Sequence, residues 1–257
     1  MSYSKYFPVS LGLSLGAAMF ATTALSETLL WSTVESRMIL GIQADATAVQ
    51  SRMPEGWKAI TLPQGPLAGA NILLVFMDRH LILDPDGKPQ QPSSNLVAAL
   101  MSYGVNKDVE GVRSFITRTF EIEPVLNPHG NSVPVTLTRE AGKAVSSENK
   151  TTRTEEWQLA PLDGGALDFS ISYTAGPLGW TEGGKSQPYT NAMPDVYWIY
   201  DYDQAAELVM NTTLGKPLAG EVSLANSIPE LEDVFDGTEK LVAIVNIPIY
   251  IRDVSAP

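Results

Sequence analysis

The sequence predicts a mainly β fold of the α+β class, a sandwich or a closed barrel of strands with a few short helices. Beyond Trp57 the apolar residues recur mostly with period two, and turn sequences such as Asp84-Pro85-Asp86-Gly87 separate the runs. Only two short segments have helical spacing. With 44% hydrophobic and 18% charged residues, the composition is typical of a globular domain. Many short strands with few helices favour these two architectures.

The first 26 residues have the pattern of a cleaved signal peptide rather than of a domain. A single base, Lys5, precedes the nearly uncharged stretch 7–25, and Ala24-Leu25-Ser26 offers small residues for cleavage. Polar residues and a proline interrupt this stretch, so we expect no stable membrane insertion after cleavage. We therefore expect a signal peptide at 1–26 and one domain at 27–257, located in the periplasm or secreted. The sequence leaves the oligomeric state open.

The first element of the expected domain is a strand followed by a short helix. The segment Val34–Gln43 alternates between an apolar face and a partly polar face, which predicts a strand with one buried side. Asp45 is a suitable N-cap for a helix over Ala46–Met53, because its carboxylate can accept hydrogen bonds from the first turn. Pro54 and Gly56 end that helix.

The remaining elements follow from the same two periods. Alternation predicts strands at 71–83, 96–103, 111–122, 133–138 and 151–159, and then at 166–174, 221–225 and 241–252. The spacing of Ala206, Val209 and Met210 predicts a second helix over Asp203–Met210. The glycine-rich segment Gly176–Gly184 has no strand pattern and is expected to be a loop over the mouth of a cavity.

A family resemblance is carried by two short passages. Arg37-Met38-Ile39-Leu40-Gly41-Ile42-Gln43-Ala44-Asp45, then a helix and Met53-Pro54-Glu55-Gly56-Trp57, is similar to the opening of acetoacetate decarboxylase-like proteins. The resemblance covers about 45 residues, from Val34 to Asp78. It implies a closed or partly closed antiparallel β-barrel with a small interior cavity. In enzymes of this family, a lysine in that cavity forms a Schiff base with a keto acid.

The resemblance carries over only in part to the residues of the site. The family's catalytic motif is a Pro-Lys-Lys run, in which one ammonium lowers the pKa of its neighbour. This sequence has no adjacent lysines, and Lys107, Lys143 and Lys150 stand alone. The family also uses an early arginine to hold the carboxylate, and Arg37 is the corresponding residue here.

Two further strands carry candidate ligand-binding residues. Alternation places Asp78 and His80 on one face of their strand and Arg79 on the other. Facing a cavity, Asp78 and His80 would bind a ligand or act as acid and base; at the rim, they would form only an ion pair. Arg118 lies on the face opposite Glu121. Either face of that strand would suit a cavity wall, and cross-strand ion pairs are the alternative use of such residues.

Composition excludes several classes of function. Without cysteine the chain forms no disulfide, thiolate zinc site or iron–sulfur cluster, and two histidines do not build a histidine-rich metal site. A formal net charge of −12 disfavours nucleic acid as a partner. We therefore expect no metal and no cofactor, and we expect a small-molecule ligand as the partner.

Two functions remain, with a purely structural or partner-binding module as a third. The first is an exported, noncatalytic barrel that binds a small carboxylate or a keto-acid-like ligand through Arg37, Asp78, His80 and Arg118. The second is an enzyme, a lyase or hydrolase of the same superfamily with a non-standard active site. A reactive lysine would favour the second.

Overall fold

The computed structural model describes residues 27–123 and 127–257, and the signal peptide expected at 1–26 lies outside them. Strands dominate the described residues. The elements are β1 Thr28–Gln43, α1 Ala46–Ser51, β2 Lys58–Ala59, β3 Ile72–Leu83, β4 Asn95–Asn106, β5 Val109–Glu121, β6 Ser132–Val145, β7 Thr151–Pro161, β8 Leu167–Thr174, β9 Gly179–Ser186, β10 Pro188–Thr190, β11 Ile199–Asn211, β12 Gly220–Asn226, a 3-10 turn Pro229–Leu231 and β13 Lys240–Ala256.

The strands form one large mixed sheet of 13 strands. Its main path runs β12-β8-β7-β6-β5-β4-β3-β1-β13-β11-β9, while β2 pairs with β4 and β10 pairs with β5. The sheet is mixed because β5 pairs in parallel with both β6 and β10. The hydrogen-bonded path is not closed, so of the expected closed or partly closed antiparallel barrel, full closure and purely antiparallel pairing are corrected. Where the path ends, β9 pairs with β11 and β10 pairs with β5, and Gln187 alone separates β9 from β10.

One face of the sheet forms the main core because the sheet folds back on itself. Met38, Leu40 and Ile42 of β1 are fully buried together with apolar residues of β3, β4 and β6–β8. At the centre of this layer, the ring of Phe76 stacks on Trp157 and Phe169, with centroid distances of 4.9 and 5.5 Å. The strands β6–β8 thus cover one face of β1, β3 and β4, and the other face of these strands remains for a cavity.

The structure confirms most of the elements expected from the sequence. The alternation of β1 is real, since its even-numbered residues from Met38 to Ile42 face the core. The helix α1 begins where expected, because Asp45 accepts hydrogen bonds from the backbone amides of Thr47 and Ala48, each at 2.9 Å. The strands expected from 71 to 174 are present as β3 to β8, and β7 and β8 pair as a hairpin.

Two expectations were wrong, and both concern the same pair of strands. The segment Asp203–Met210 is part of β11, not a helix, because it pairs with β13 on one side and β9 on the other. Ala205, Glu207 and Val209 are buried at the two-residue period of a strand. The glycine-rich segment expected to be a loop instead contains β9, which pairs with β11. The described residues therefore hold one α-helix, not two.

Candidate functional site

The second face of the sheet lines a cavity of about 440 Å³. Eight strands, β1, β3, β4, β5, β9, β10, β11 and β13, contribute residues to its wall. The size is within the range of about 300–1,000 Å³ that is typical of small-molecule sites. Its charged and imidazole side chains are Arg37, Arg79, Glu121, His129 and Arg252.

Glu35 lies behind this charged group and is fully buried. Its carboxylate accepts hydrogen bonds from Thr33 Oγ1 at 2.7 Å and Arg37 Nη2 at 3.1 Å, and Arg252 Nη2 lies 3.0 Å away. Burial by itself raises the pKa of Glu35, but Arg252, Arg37 and Arg79 outweigh it and lower the pKa from 4.5 to about 2. Glu35 is therefore an anion that partly neutralises two of the arginines.

Arg79 differs from the other two arginines because it makes no ion pair with any described residue. It stands on β3 directly opposite Glu35 of β1, and its Nε is buried without a hydrogen-bond partner in the described chain. Burial lowers the pKa of Arg79, with Glu35 acting in the opposite direction. A guanidinium remains charged in proteins even so. Its positive charge is thus open to an anion that enters the cavity.

Glu121 and His129 line the cavity near the arginines. Both are buried, and Ser132 Oγ donates a long hydrogen bond of 3.4 Å to Glu121 Oε1. Burial, with Arg79 and Arg252 adding to it, lowers the pKa of His129 from 6.5 to about 3, so its ring is neutral. The buried Nδ1 of His129 has no partner among the described residues. Even with both glutamates ionised, three arginines leave an excess of positive charge.

Aromatic rings hold two of the arginines in place. The guanidinium of Arg37 lies 3.6 Å from the centroid of the Tyr250 ring, and that of Arg252 lies 4.3 Å from the centroid of Tyr200. Tyr202 in turn stacks on Tyr250 at 5.0 Å. Such cation–π contacts favour a fixed guanidinium plane. The positive end of the cavity is therefore preorganised.

Of the four ligand-binding residues predicted from the sequence, the cavity contains Arg37. Asp78 faces away from it and pairs with Arg139 at 2.7 Å, while His80 Nδ1 lies 3.2 Å from Asp78. Arg118 lies outside the cavity and pairs with Glu230. The structure thus separates these three residues from Arg37.

The sequence reasoning did not select Arg79, Arg252, Glu35 or His129. The alternation that placed Arg79 opposite Asp78 and His80 was right, but it did not tell which face lines the cavity. The available signal was an arginine on the otherwise apolar face of β3 that carries Leu73, Val75 and Met77. For Arg252 and His129 the sequence carried no such signal.

The lysines of the described chain lie outside the cavity. Every lysine from Lys58 to Lys240 is exposed, and none lines the cavity wall. A Schiff-base lysine needs a desolvated or otherwise lowered amine, and burial is the usual means. Within residues 27–123 and 127–257, no group of three His, Asp or Glu side chains could hold a metal ion. The same residues include no helix that is long and apolar enough to cross a membrane.

The fold of the described residues, a large mixed sheet curled around a cavity with a folded-back layer covering its other face, is similar to the folds of two solved structures. The solved structure of an acetoacetate decarboxylase-like enzyme from Sphingomonas wittichii RW1 is 14% identical, with a TM-score of 0.55 over 94% of this chain and 98% of that one. The enduracididine biosynthesis enzyme MppR, complexed with pyruvate, is 10% identical, with a TM-score of 0.57 over 96% of both chains. No family model and no curated protein matches the sequence.

Proposed function

We propose that this protein binds a small carboxylate or keto-acid-like ligand in its cavity, with Arg79 as the principal anchor and Arg37 and Arg252 beside it. The observation that carries the proposal is the half-buried Arg79, which lines the cavity, has a buried Nε without a hydrogen-bond partner and makes no ion pair in the described chain. A buried charge without a partner is costly, so an entering anion recovers free energy at this site. Arginine also matches a carboxylate with two parallel hydrogen bonds.

Two further observations support a carboxylate as the ligand. The excess positive charge of the lining favours an anion over a neutral or cationic molecule. MppR, which has this fold, was solved in complex with pyruvate, a keto acid. The exposed lysines favour binding without a Schiff base.

The test is a calorimetric titration with butanoate and 2-oxobutanoate against wild type and Arg79→Met. Methionine keeps the length of the apolar stem of arginine and has no charge, so we expect the variant to bind both acids at least about tenfold more weakly, the loss of a charge-assisted hydrogen bond. Arg118→Met is the matched control outside the cavity, and its Kd should stay within about twofold of wild type. Binding of butanamide as tight as that of butanoate, or unchanged binding by Arg79→Met, would refute the proposal.

A second function, an enzyme with a non-standard active site, is favoured by His129. His129 has an unpartnered Nδ1 in the cavity wall, and an anion that offsets the charges of Arg79 and Arg252 would raise its lowered pKa toward that of a general base. A bound keto acid would lose a proton from the carbon next to its carbonyl group, which is the first step of several lyase reactions. Deuterium exchange at C3 of 2-oxobutanoate, followed by NMR, tests this. Exchange that exceeds the buffer rate and is lost in His129→Gln supports catalysis, whereas exchange at the buffer rate leaves binding alone.

We also propose that the chain is exported and that residues 27–257 form the mature domain. The support is the sequence of the first 26 residues, with its single base, apolar stretch and small residues before Glu27. Expression in a Gram-negative host, followed by N-terminal sequencing of the periplasmic fraction, should give a chain that begins at Glu27. Leu13→Arg, which places a charge in the apolar stretch, should keep the full-length chain in the cytoplasm. Full-length wild type in the cytoplasm would contradict export.

A further inference from the structure

We infer that the ligand is an amphipathic monocarboxylate with an unbranched apolar tail of at least about six carbons, rather than an acid as small as pyruvate. This inference rests on the proposed function and adds the part of the ligand that lies beyond the carboxylate. It follows from the way in which charged and apolar side chains are separated along the strands of the cavity.

The separation is visible on β3 and its neighbours. From Arg79 the cavity face of β3 continues with Met77, Val75 and Leu73, and no further charge follows on that face. The strand register places Arg79 opposite Glu35, and places Val75 opposite Ile39. One end of these two strands is therefore ionic, and the other end is apolar.

Strand β13 repeats this polarity, whereas β11 contributes only Tyr200, Tyr202 and Gln204 to the wall. On β13 the cavity face runs from Arg252 and Tyr250 to Ile247 and Val245, and the register with β1 places Ile247 opposite Arg37. Other apolar side chains in the wall come from β4, β5 and the segment between β2 and β3: Val97, Ala99, Met101, Ile116, Leu62 and Leu67. The carboxylate of a ligand at Arg79 would thus have an apolar chamber in front of it.

The size of the chamber leaves room for such a tail. Arg79 and Leu73 are six positions apart on β3, which is roughly 20 Å along a strand. The cavity of about 440 Å³ has the volume of roughly fifteen water molecules in the liquid. A three-carbon acid would leave most of the apolar wall in contact with water, whereas a tail that covers the wall would remove that contact.

The charge distribution also limits the ligand to one carboxylate. The charged side chains that line the cavity in the described chain are Arg37, Arg79, Glu121 and Arg252, and the apolar chamber holds none of them. A second carboxylate at the far end of the tail would be desolvated without a cation. A dicarboxylate of similar length should therefore bind more weakly than the monocarboxylate.

The test is a calorimetric series with butanoate, hexanoate and octanoate, and with pyruvate, suberate and octanamide at the same concentrations. We expect the affinity to rise about fourfold per added methylene from butanoate to octanoate. Octanamide should bind at least about tenfold more weakly than octanoate, because it lacks the charge, and suberate should also bind more weakly. Equal affinities along the series, or tighter binding of pyruvate than of octanoate, would overturn the inference and leave the proposed function standing. If no acid of any length binds, the proposed function itself fails.

A cavity-filling variant tests the location of the tail. Ala99→Phe adds a ring within the apolar wall, so we expect octanoate to bind at least about tenfold more weakly while butanoate changes by less than about threefold. The matched control is Ala144→Phe at an exposed position of β6, which should leave both affinities unchanged. If Ala99→Phe does not fold, Val75→Leu adds a single methylene and should weaken octanoate about fourfold. Unchanged octanoate binding in the folded variant would overturn the inference.

Discussion

Replacing Glu35 by glutamine should destabilise the folded chain strongly although it removes only a charge. The fully buried carboxylate of Glu35 pairs with Arg37 and Arg252. Glutamine has nearly the same shape, so packing is retained and the two arginines lose their common anion. With one partner gone from a buried ion pair, the other charges remain buried without compensation.

The expected loss of unfolding free energy is about 3–5 kcal/mol, the usual cost of breaking a buried pair by removing one partner. For a chain of this size each kcal/mol shifts Tm by about 2–4 °C, so Tm should fall by roughly 6–20 °C. The neighbouring arginine Arg79 adds to this cost, because Glu35 also attracts it.

The measurement is urea unfolding of wild type and variant as a function of pH. The pKa of Glu35 is lowered from 4.5 to about 2 on folding, so its ionisation stabilises the protein above pH 4.5. That contribution is lost as the pH falls from 4.5 toward 2, because the carboxyl then takes up a proton. The glutamine variant has no such proton to gain. The difference in unfolding free energy should therefore be constant at neutral pH and should shrink on acidification below pH 4.5.

A matched control separates this effect from the general loss of a negative charge. Glu221→Gln makes the same change at an exposed position of β12, and its unfolding free energy should stay within about 0.5 kcal/mol of wild type. The reasoning about Glu35, Arg37 and Arg252 is refuted if the unfolding free energy of Glu35→Gln lies within about 1 kcal/mol of the wild-type value at pH 7. A difference that stays constant down to pH 2 would refute the assigned direction of the pKa shift.

Three further perturbations test the helix cap, the core and the imidazole. Asp45→Ala should cost about 1 kcal/mol in urea unfolding because α1 loses its N-cap, whereas Asp45→Asn should cost much less. Phe76→Ala should cost about 3–5 kcal/mol because the ring fills the core between Trp157 and Phe169; a loss below about 1 kcal/mol would contradict the packing. The pKa of His129 is lowered from 6.5 to about 3, so its NMR signals should not titrate between pH 5 and 8 in the folded chain. Stability should fall as the pH drops below 6.5, since only the unfolded chain then binds the proton.

Much of the fold could be predicted because local period and turn chemistry agree with the final sheet. The alternation of β1 and the capping geometry of Asp45 are local properties, and both were predicted correctly. The helix predicted over Asp203–Met210 was wrong. The apolar spacing of this segment suits a helix, but its conformation is decided by two partner strands that are distant in sequence. The predicted closure of the sheet was wrong for a similar reason, since the pairing of β9 and β10 depends on non-local contacts.

The site was harder to predict than the fold because bulges change which face a residue occupies. On β5 a register shift lies between the pairs Leu100–Arg118 and Met101–Ile116, so Ile116 and Thr119 share the cavity face although they are an odd number of residues apart. On β13 a shift lies between the partners of Glu35 and Arg37, and it keeps Arg252 on the inner side. Strict alternation does not show such shifts, so it could not choose among the arginines.

Alternate residues of β1 have two different roles, packing between the layers and lining the cavity. On β1, Met38 and Leu40 hold the layers together, while Arg37 and Ile39 meet whatever enters the cavity. Substitutions at the odd-numbered positions can therefore change the cavity wall and leave the other surface of the same strand untouched. The same architecture is compatible with very different sequences, as the identities of 10% and 14% with the two solved structures illustrate.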